Sequence, residues 1–190
     1  MIRLFAAIAV PDAAVEALAP LAAGVPGARW SPRENLHITL RFAGDIAETL
    51  AEDLDSALGA VRTPAFAVSL VGVGSFGDGL DIHALWAGVE GGEPLVRLQR
   101  RCERAARQAG LRPETRTWKP HVTLAYLSGA GPGRAAAWTA AHSLLRVPPF
   151  QADRFGLYSS WATRTGSVYR LERSYPLTPA PRGPSGRPAG

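Results

Sequence analysis

The strongest constraint in this chain is a short segment that occurs twice. Asn35-Leu36-His37-Ile38-Thr39-Leu40 and Lys119-Pro120-His121-Val122-Thr123-Leu124 share the pattern His-x-Thr-Leu, with their histidines 84 residues apart. Both alternate polar and apolar residues, the period-2 signature of a half-buried strand. Residues two apart in a strand project from the same face, so His37 and Thr39 point one way while Ile38 and Leu40 enter the core. Continued by one step, the alternation places Arg41 on the face of His37 and Thr39. One motif per half implies a pseudo-symmetric molecule.

The rest of the chain supplies strands and helices intermingled. Leu4 to Val10 is a continuous apolar run with the length of a strand covered on both faces. A helix is expected from Asp12 to about Ala23, and a second opens at Asp45, whose spacing to Glu48 is that of a capping box. Phe66 to Val73 and His83 to Val89 read as strands around a Gly- and Asp-rich turn. Leu95, Leu98, Cys102, Ala105 and Ala109 repeat at helical spacing after Pro94, with arginines on the outer, solvated face. His121 to Leu127 is a strand, Ala135 to Leu145 a short helix, and Phe155 to Ser159 and Val168 to Glu172 are strands flanking the Gly166 turn. From Thr178 onward Pro, Gly, Arg and Ser dominate, so residues 178–190 are expected to form a flexible tail on a domain of residues 1–177.

Composition narrows the function classes. With 46% hydrophobic and 19% charged residues in 190, the chain can bury enough apolar surface to fold. The apolar run near the start stops at Pro11, far short of the roughly 20 residues of a membrane span, and lacks the pattern of a secretory leader. Cys102 is the only cysteine, which excludes an intramolecular disulfide and any multi-cysteine metal site. A cytoplasmic location is the expectation. The net charge of +5 would favour a phosphate-bearing partner.

If the two halves face each other, a cleft holds two imidazoles and two hydroxyls about one centre. That set suits in-line displacement at phosphorus: one His takes the proton of attacking water, and the other protonates the departing ribose oxygen. The hydroxyls of Thr39 and Thr123 can donate to the non-bridging oxygens where charge accumulates. Imidazole fits because its ordinary pKa near about 6.5 makes both protonation states accessible. No metal and no cofactor are expected, since no third protein ligand accompanies the histidines. His83 and His142 lack a Thr two residues on and read as surface or structural residues. Gly72-Val73-Gly74-Ser75-Phe76-Gly77 matches a dinucleotide-binding fingerprint but leads into another strand, so it reads as part of a turn.

An ordered set of segments then resembles the RNA 2',3'-cyclic phosphodiesterases, or 2'-5' RNA ligases, of the two-histidine phosphoesterase superfamily. The set comprises Arg3 to Ile8 with Pro11, Trp30, Glu34 to Gly44, Leu85 to Val89, Pro120 to Ala125, and Leu157 to Ser160 before Gly166 and Tyr169. The resemblance spans about residues 2 to 177. It implies an α+β fold of two pseudo-symmetric lobes, each an antiparallel sheet with flanking helices, with the active-site groove between them. It also implies metal-independent hydrolysis of a terminal 2',3'-cyclic phosphate to a 2'-phosphate, and reverse joining of RNA ends through a 2'-5' bond. The partner would be an RNA end, such as a tRNA half or an oligonucleotide, met by a monomer away from any membrane.

By the same resemblance, His121 activates water and His37 protonates the leaving O3', while Phe5 stacks on the terminal base or ribose. In one place the chain departs from the family. Many relatives carry a phosphate-contacting Arg two residues after the second motif's Leu, and here that position is Tyr126, which donates one hydrogen bond but no cation, so charge stabilisation is either weaker or supplied by Arg41, Arg33 or Lys119. Arg41 is favoured by the strand alternation. The rival readings are a non-catalytic RNA- or nucleotide-binding module and a related two-histidine enzyme acting on small cyclic nucleotides.

Overall fold

A computed structural model describes residues 1–77, 81–128, 132–164 and 166–180. Among the described residues nine strands form an antiparallel sheet and four α-helices pack on it, a mixed α+β architecture. The strands are β1 (Ile2–Ala9), β2 (Ala28–Trp30), β3 (His37–Ile46), β4 (Phe66–Phe76), β5 (Ala84–Glu90), β6 (His121–Leu127), β7 (Arg146–Ala152), β8 (Arg154–Thr163) and β9 (Gly166–Pro176). The helices are α1 (Asp12–Leu18), α2 (Glu48–Gly59), α3 (Gly92–Gln108) and α4 (Pro132–Ala141). Among the described residues no helix is long and apolar enough to cross a membrane.

The sheet order is β7-β4-β5-β6-β3-β1-β8-β9, with β2 paired to β6 off this path. Each His-x-Thr-Leu motif opens one of the two central strands, β3 and β6. The two expected lobes are therefore two four-stranded halves joined edge to edge. The joint is narrow: β3 and β6 share the single register pair Ile38–Val122 before β6 turns to β2 instead. Ile38 and Val122 occupy equivalent places in the two motifs, so the repeat meets itself about a local two-fold axis.

The core lies on the helix-bearing side of the sheet, where Ile38, Leu40, Val122 and Leu124 meet Leu95, Leu98, Cys102 and Ala105 of α3. The arginines of α3 face outward, as its amphipathic spacing requires. At the sheet's end, β7 tolerates Pro148 and Pro149 because it is an edge strand and the two lie at a bulge, where its register with β4 jumps from Phe150 to Val147. That strand and β2 escaped the sequence reading. The expected start of the second helix is corrected. Asp45 does not cap it: Asp45 lies in β3 opposite Arg3, whose guanidinium it binds at 2.5 Å, and α2 begins at Glu48 after Ala47. Likewise α1 ends at Leu18, and a 3-10 turn carries the chain through Pro20 to Leu21. Of the expected tail, the Thr178 amide donates to the Thr63 carbonyl and its own carbonyl accepts from Ala65, while residues 181–190 lie outside the described residues.

Candidate active site

The Ile38 and Val122 side chains are fully buried on the helix side, so strand alternation turns His37, Thr39, His121 and Thr123 to the opposite face. Extending the Ile38–Val122 register by one residue each way sets His37 across from Thr123 and Thr39 across from His121. The duplicated pair of side chains becomes a square with each imidazole beside the other motif's hydroxyl. All four line one groove of ≈ 600 Å³.

Local backbone geometry aims both imidazoles the same way. The Nδ1 of His37 lies 2.6 Å from the Asn35 carbonyl, and the Nδ1 of His121 lies 2.7 Å from the Lys119 carbonyl, in each case two residues back. A carbonyl only accepts, so Nδ1 carries the proton in both rings and Nε2 is the nitrogen left to exchange one. Aromatic rings brace them. Phe5 and Tyr169 lie 4.8 and 5.2 Å from His37, and Phe76 meets His121 edge-on at 4.7 Å. Phe76 in turn stands beside Trp86, for which β4 leaves room at Gly74: a Cβ there would fall inside the indole.

Burial pushes the His37 pKa down to about 4, against the partial opposition of the Asn35 hydrogen bond and with a further lowering from His121. Burial also lowers that of His121, assisted by the charge of Lys119. The two imidazoles thus feel each other, and His37 is neutral in the empty groove at neutral pH. An anion between them would reverse both shifts, because a nearby opposite charge favours the protonated ring.

All seven predicted site residues border this groove, but Arg41 and Phe5 do so in settings the alternation does not anticipate. A β-bulge at Leu40 breaks the alternation of β3: Thr39 faces Ala7, but Arg41 faces Ala6. Arg41 is consequently turned to the helix side and is only 8% exposed, where its guanidinium pairs with Glu103 and donates to the Phe42 and Arg112 carbonyls. Arg41 borders the groove, yet its donors are taken up by these partners, so a phosphate contact would have to compete with them. Phe5 borders the groove but is 3% exposed and packed against His37, Tyr158 and Tyr169, so what it does in this structure is brace the imidazole.

The same bulge recurs at Leu124, between the Trp86–Thr123 and Leu85–Ala125 pairs. In both motifs the residue five after the histidine therefore returns to the groove face: Phe42, 41% exposed, and Tyr126, 40% exposed. Phe42 was missed because alternation alone assigns it to the core; the shared offset of two aromatics was its only signal. Of the other candidate cations, Arg33 is paired with Glu16 of α1. Lys119 sits in the groove with its Nζ 3.9 Å from the Trp86 ring centre. His83 lines the groove's rim beside Phe76, whereas His142 packs on Trp138 away from it. The glycines of the would-be dinucleotide fingerprint lie in and just after β4, and the next strand or α-helix among the described residues is the strand β5.

Comparison with known proteins agrees with this geometry. A family described as the 2'-5' RNA ligase superfamily matches residues 10–163. The RNA 2',3'-cyclic phosphodiesterase of Aeropyrum pernix is 34% identical over 144 residues, covering 72% of this chain and 79% of that one. The protein of the same name from Archaeoglobus fulgidus is 29% identical over 171 residues, covering 88% and 96%. Among solved structures, E. coli LigT complexed with 3'-AMP superposes with a TM-score of 0.74 at 26% identity, over 93% of this chain and 98% of that one. The duplicated motif, the groove it lines and these likenesses coincide over most of the chain, which belongs to the 2'-5' RNA ligase superfamily.

Proposed function

We propose that this chain is an RNA 2',3'-cyclic phosphodiesterase that opens a terminal cyclic phosphate to a 2'-phosphate by two-histidine acid/base catalysis without a metal. The observation that carries the reading is the matched pair of imidazoles, each fixed through Nδ1 to the carbonyl two residues back and each presenting Nε2 to the same groove. The relatives of that name support it. His121 takes a proton from water as its oxygen attacks phosphorus. The P–O3' bond breaks, and His37 gives its proton to the departing O3'. Thr39 and Thr123 donate to the non-bridging oxygens as charge grows there. With the 5'-hydroxyl of a second RNA in place of water, the same transfers leave a 2'-5' phosphodiester.

The test is an RNA oligonucleotide ending in 2',3'-cyclic phosphate, incubated with the protein in excess chelator. Formation of a 2'-phosphate end at an undiminished rate is the expected outcome. A 3'-phosphate product or loss of activity in chelator would contradict the reading.

This mechanism asks the deeper imidazole to hold a proton that burial disfavours, and the substrate's phosphate charge is what makes that possible. Free His37 titrates at about 4, and a bound phosphate raises that value. Between the two values the complex carries more protons than its free parts, so binding takes up a proton and weakens as pH rises. Titration calorimetry of 2'-AMP near pH 7, where its free phosphate is mostly the dianion, repeated in buffers of different ionisation enthalpy, should show net proton uptake. His37→Asn should abolish most of it.

A further inference from the structure

The groove continues on the other side of the histidines into a second cavity of ≈ 250 Å³, which shares His37, Thr123, Tyr126 and Tyr169 with the first. Its outer wall carries Arg29. Strand β2 pairs with β6 so that Arg29 faces Tyr126, and the guanidinium carbon stands 5.0 Å from the centre of the Tyr126 ring. Tyr126 lies near enough to Tyr169 to help raise its pKa, and Tyr169 packs edge-on against His37. Arg29 is thus connected to the candidate catalytic centre through two aromatic side chains. Across the cavity lies the β8–β9 turn, where a Cβ at Gly166 would come within 2.8 Å of the Arg29 guanidinium.

Arg29 makes no ion pair among the described residues, unlike Arg33 and Arg41. Glu34 lines the cavity but forms no salt bridge with it. A guanidinium stacked on an aromatic ring keeps its edge donors free for a planar or tetrahedral anion and loses little side-chain freedom on binding one. Tyr126 follows Thr123 by one same-face step along β6, roughly 7 Å, and Arg29 stands beside it on the next strand. That is one phosphate further along a nucleic acid strand than the phosphate set between the histidines.

Resting on the proposed RNA activity, we infer that Arg29 binds the phosphodiester on the 5' side of the terminal nucleotide and makes the enzyme prefer RNA chains over 2',3'-cyclic mononucleotides. The cavity beyond Tyr126 then holds the penultimate nucleotide. Arg29 is exposed and outside the core, so Arg29→Ala leaves the fold intact, which its melting temperature verifies.

The experiment compares wild type and Arg29→Ala on a dinucleotide ending in 2',3'-cyclic phosphate and on 2',3'-cyclic AMP. Loss of about tenfold or more in kcat/KM on the dinucleotide, with the mononucleotide within about twofold, is expected for loss of one charged hydrogen-bond contact. The affinity of ApA 2'-phosphate against 2'-AMP, measured by calorimetry, tests the same difference without turnover. The slope of log affinity for the dinucleotide against log salt should shrink by about 0.7 in the variant. Equal losses on both ligands would move Arg29 to the reacting phosphate, and no loss on either would remove it from the site; each overturns the inference. An inactive wild type that still shows the binding difference would refute the proposed hydrolysis and leave Arg29 in place.

Discussion

Alanine at His37 or at His121 is expected to slow cyclic phosphate opening by about 10²- to 10⁴-fold, and alanine at both to cost little more than the worse single change. The two imidazoles act on opposite oxygens of one phosphorus, so once one is gone the other has no complete transfer to assist. Single-turnover rates on an RNA end, with saturating protein, separate this from weakened binding. Removing the ring of His37 also leaves a gap beside Phe5 and Tyr169, so a second variant is needed. His37→Asn retains an N–H for the Asn35 carbonyl, hydrogen bonded now by Nδ1, but has no proton to exchange near neutrality. It should be as slow as the alanine variant. Near wild-type rates in either histidine variant would sink the two-histidine mechanism.

The second large effect is on stability. Arg41→Met should destabilise the protein by about 3 kcal/mol, because it leaves the Glu103 carboxylate with the Glu114 amide but without its cation and takes a donor from the Phe42 and Arg112 carbonyls. The Glu103 side chain keeps some access to water, which sets the loss near the low end for a broken buried pair. Urea unfolding measures it. Replacing Glu103 with Leu in the same chain should recover part of the loss, since removing both partners leaves no orphaned charge. Meanwhile kcat/KM of the folded Arg41→Met protein should stay within a few fold of wild type. A selective loss of substrate affinity with unchanged stability would return Arg41 to the phosphate.

These two outcomes test different kinds of inference. The assignment of His37, Thr39, His121 and Thr123 to one face came from alternation, a local property of extended backbone that six residues suffice to display. Arg41 was assigned by the same rule and landed on the wrong face. One extra residue at Leu40 inverts everything after it, and the bulge depends on how β3 pairs with β1. The identical bulge at Leu124 depends on β5. Phe5 is a related case: a strand reads as apolar whether its ring meets a ligand or a neighbouring side chain, and here its ring packs against His37.

Local patterning made legible a duplicated chain of strands and helices in which each motif shows one imidazole and one hydroxyl on the same face and α3 buries one stripe. These follow from periodicities of 2 and 3.6 residues, which the backbone imposes on each segment alone. The two-lobed α+β fold was legible only through the family resemblance. The meeting of the motifs at Ile38 and Val122, the pairing of Arg41 with Glu103, the burial that holds His37 neutral and the place of Arg29 beside Tyr126 were set by the folded chain. Those are relations between residues far apart in the chain. They depend on strand register and on exclusion of water, neither of which any single segment carries.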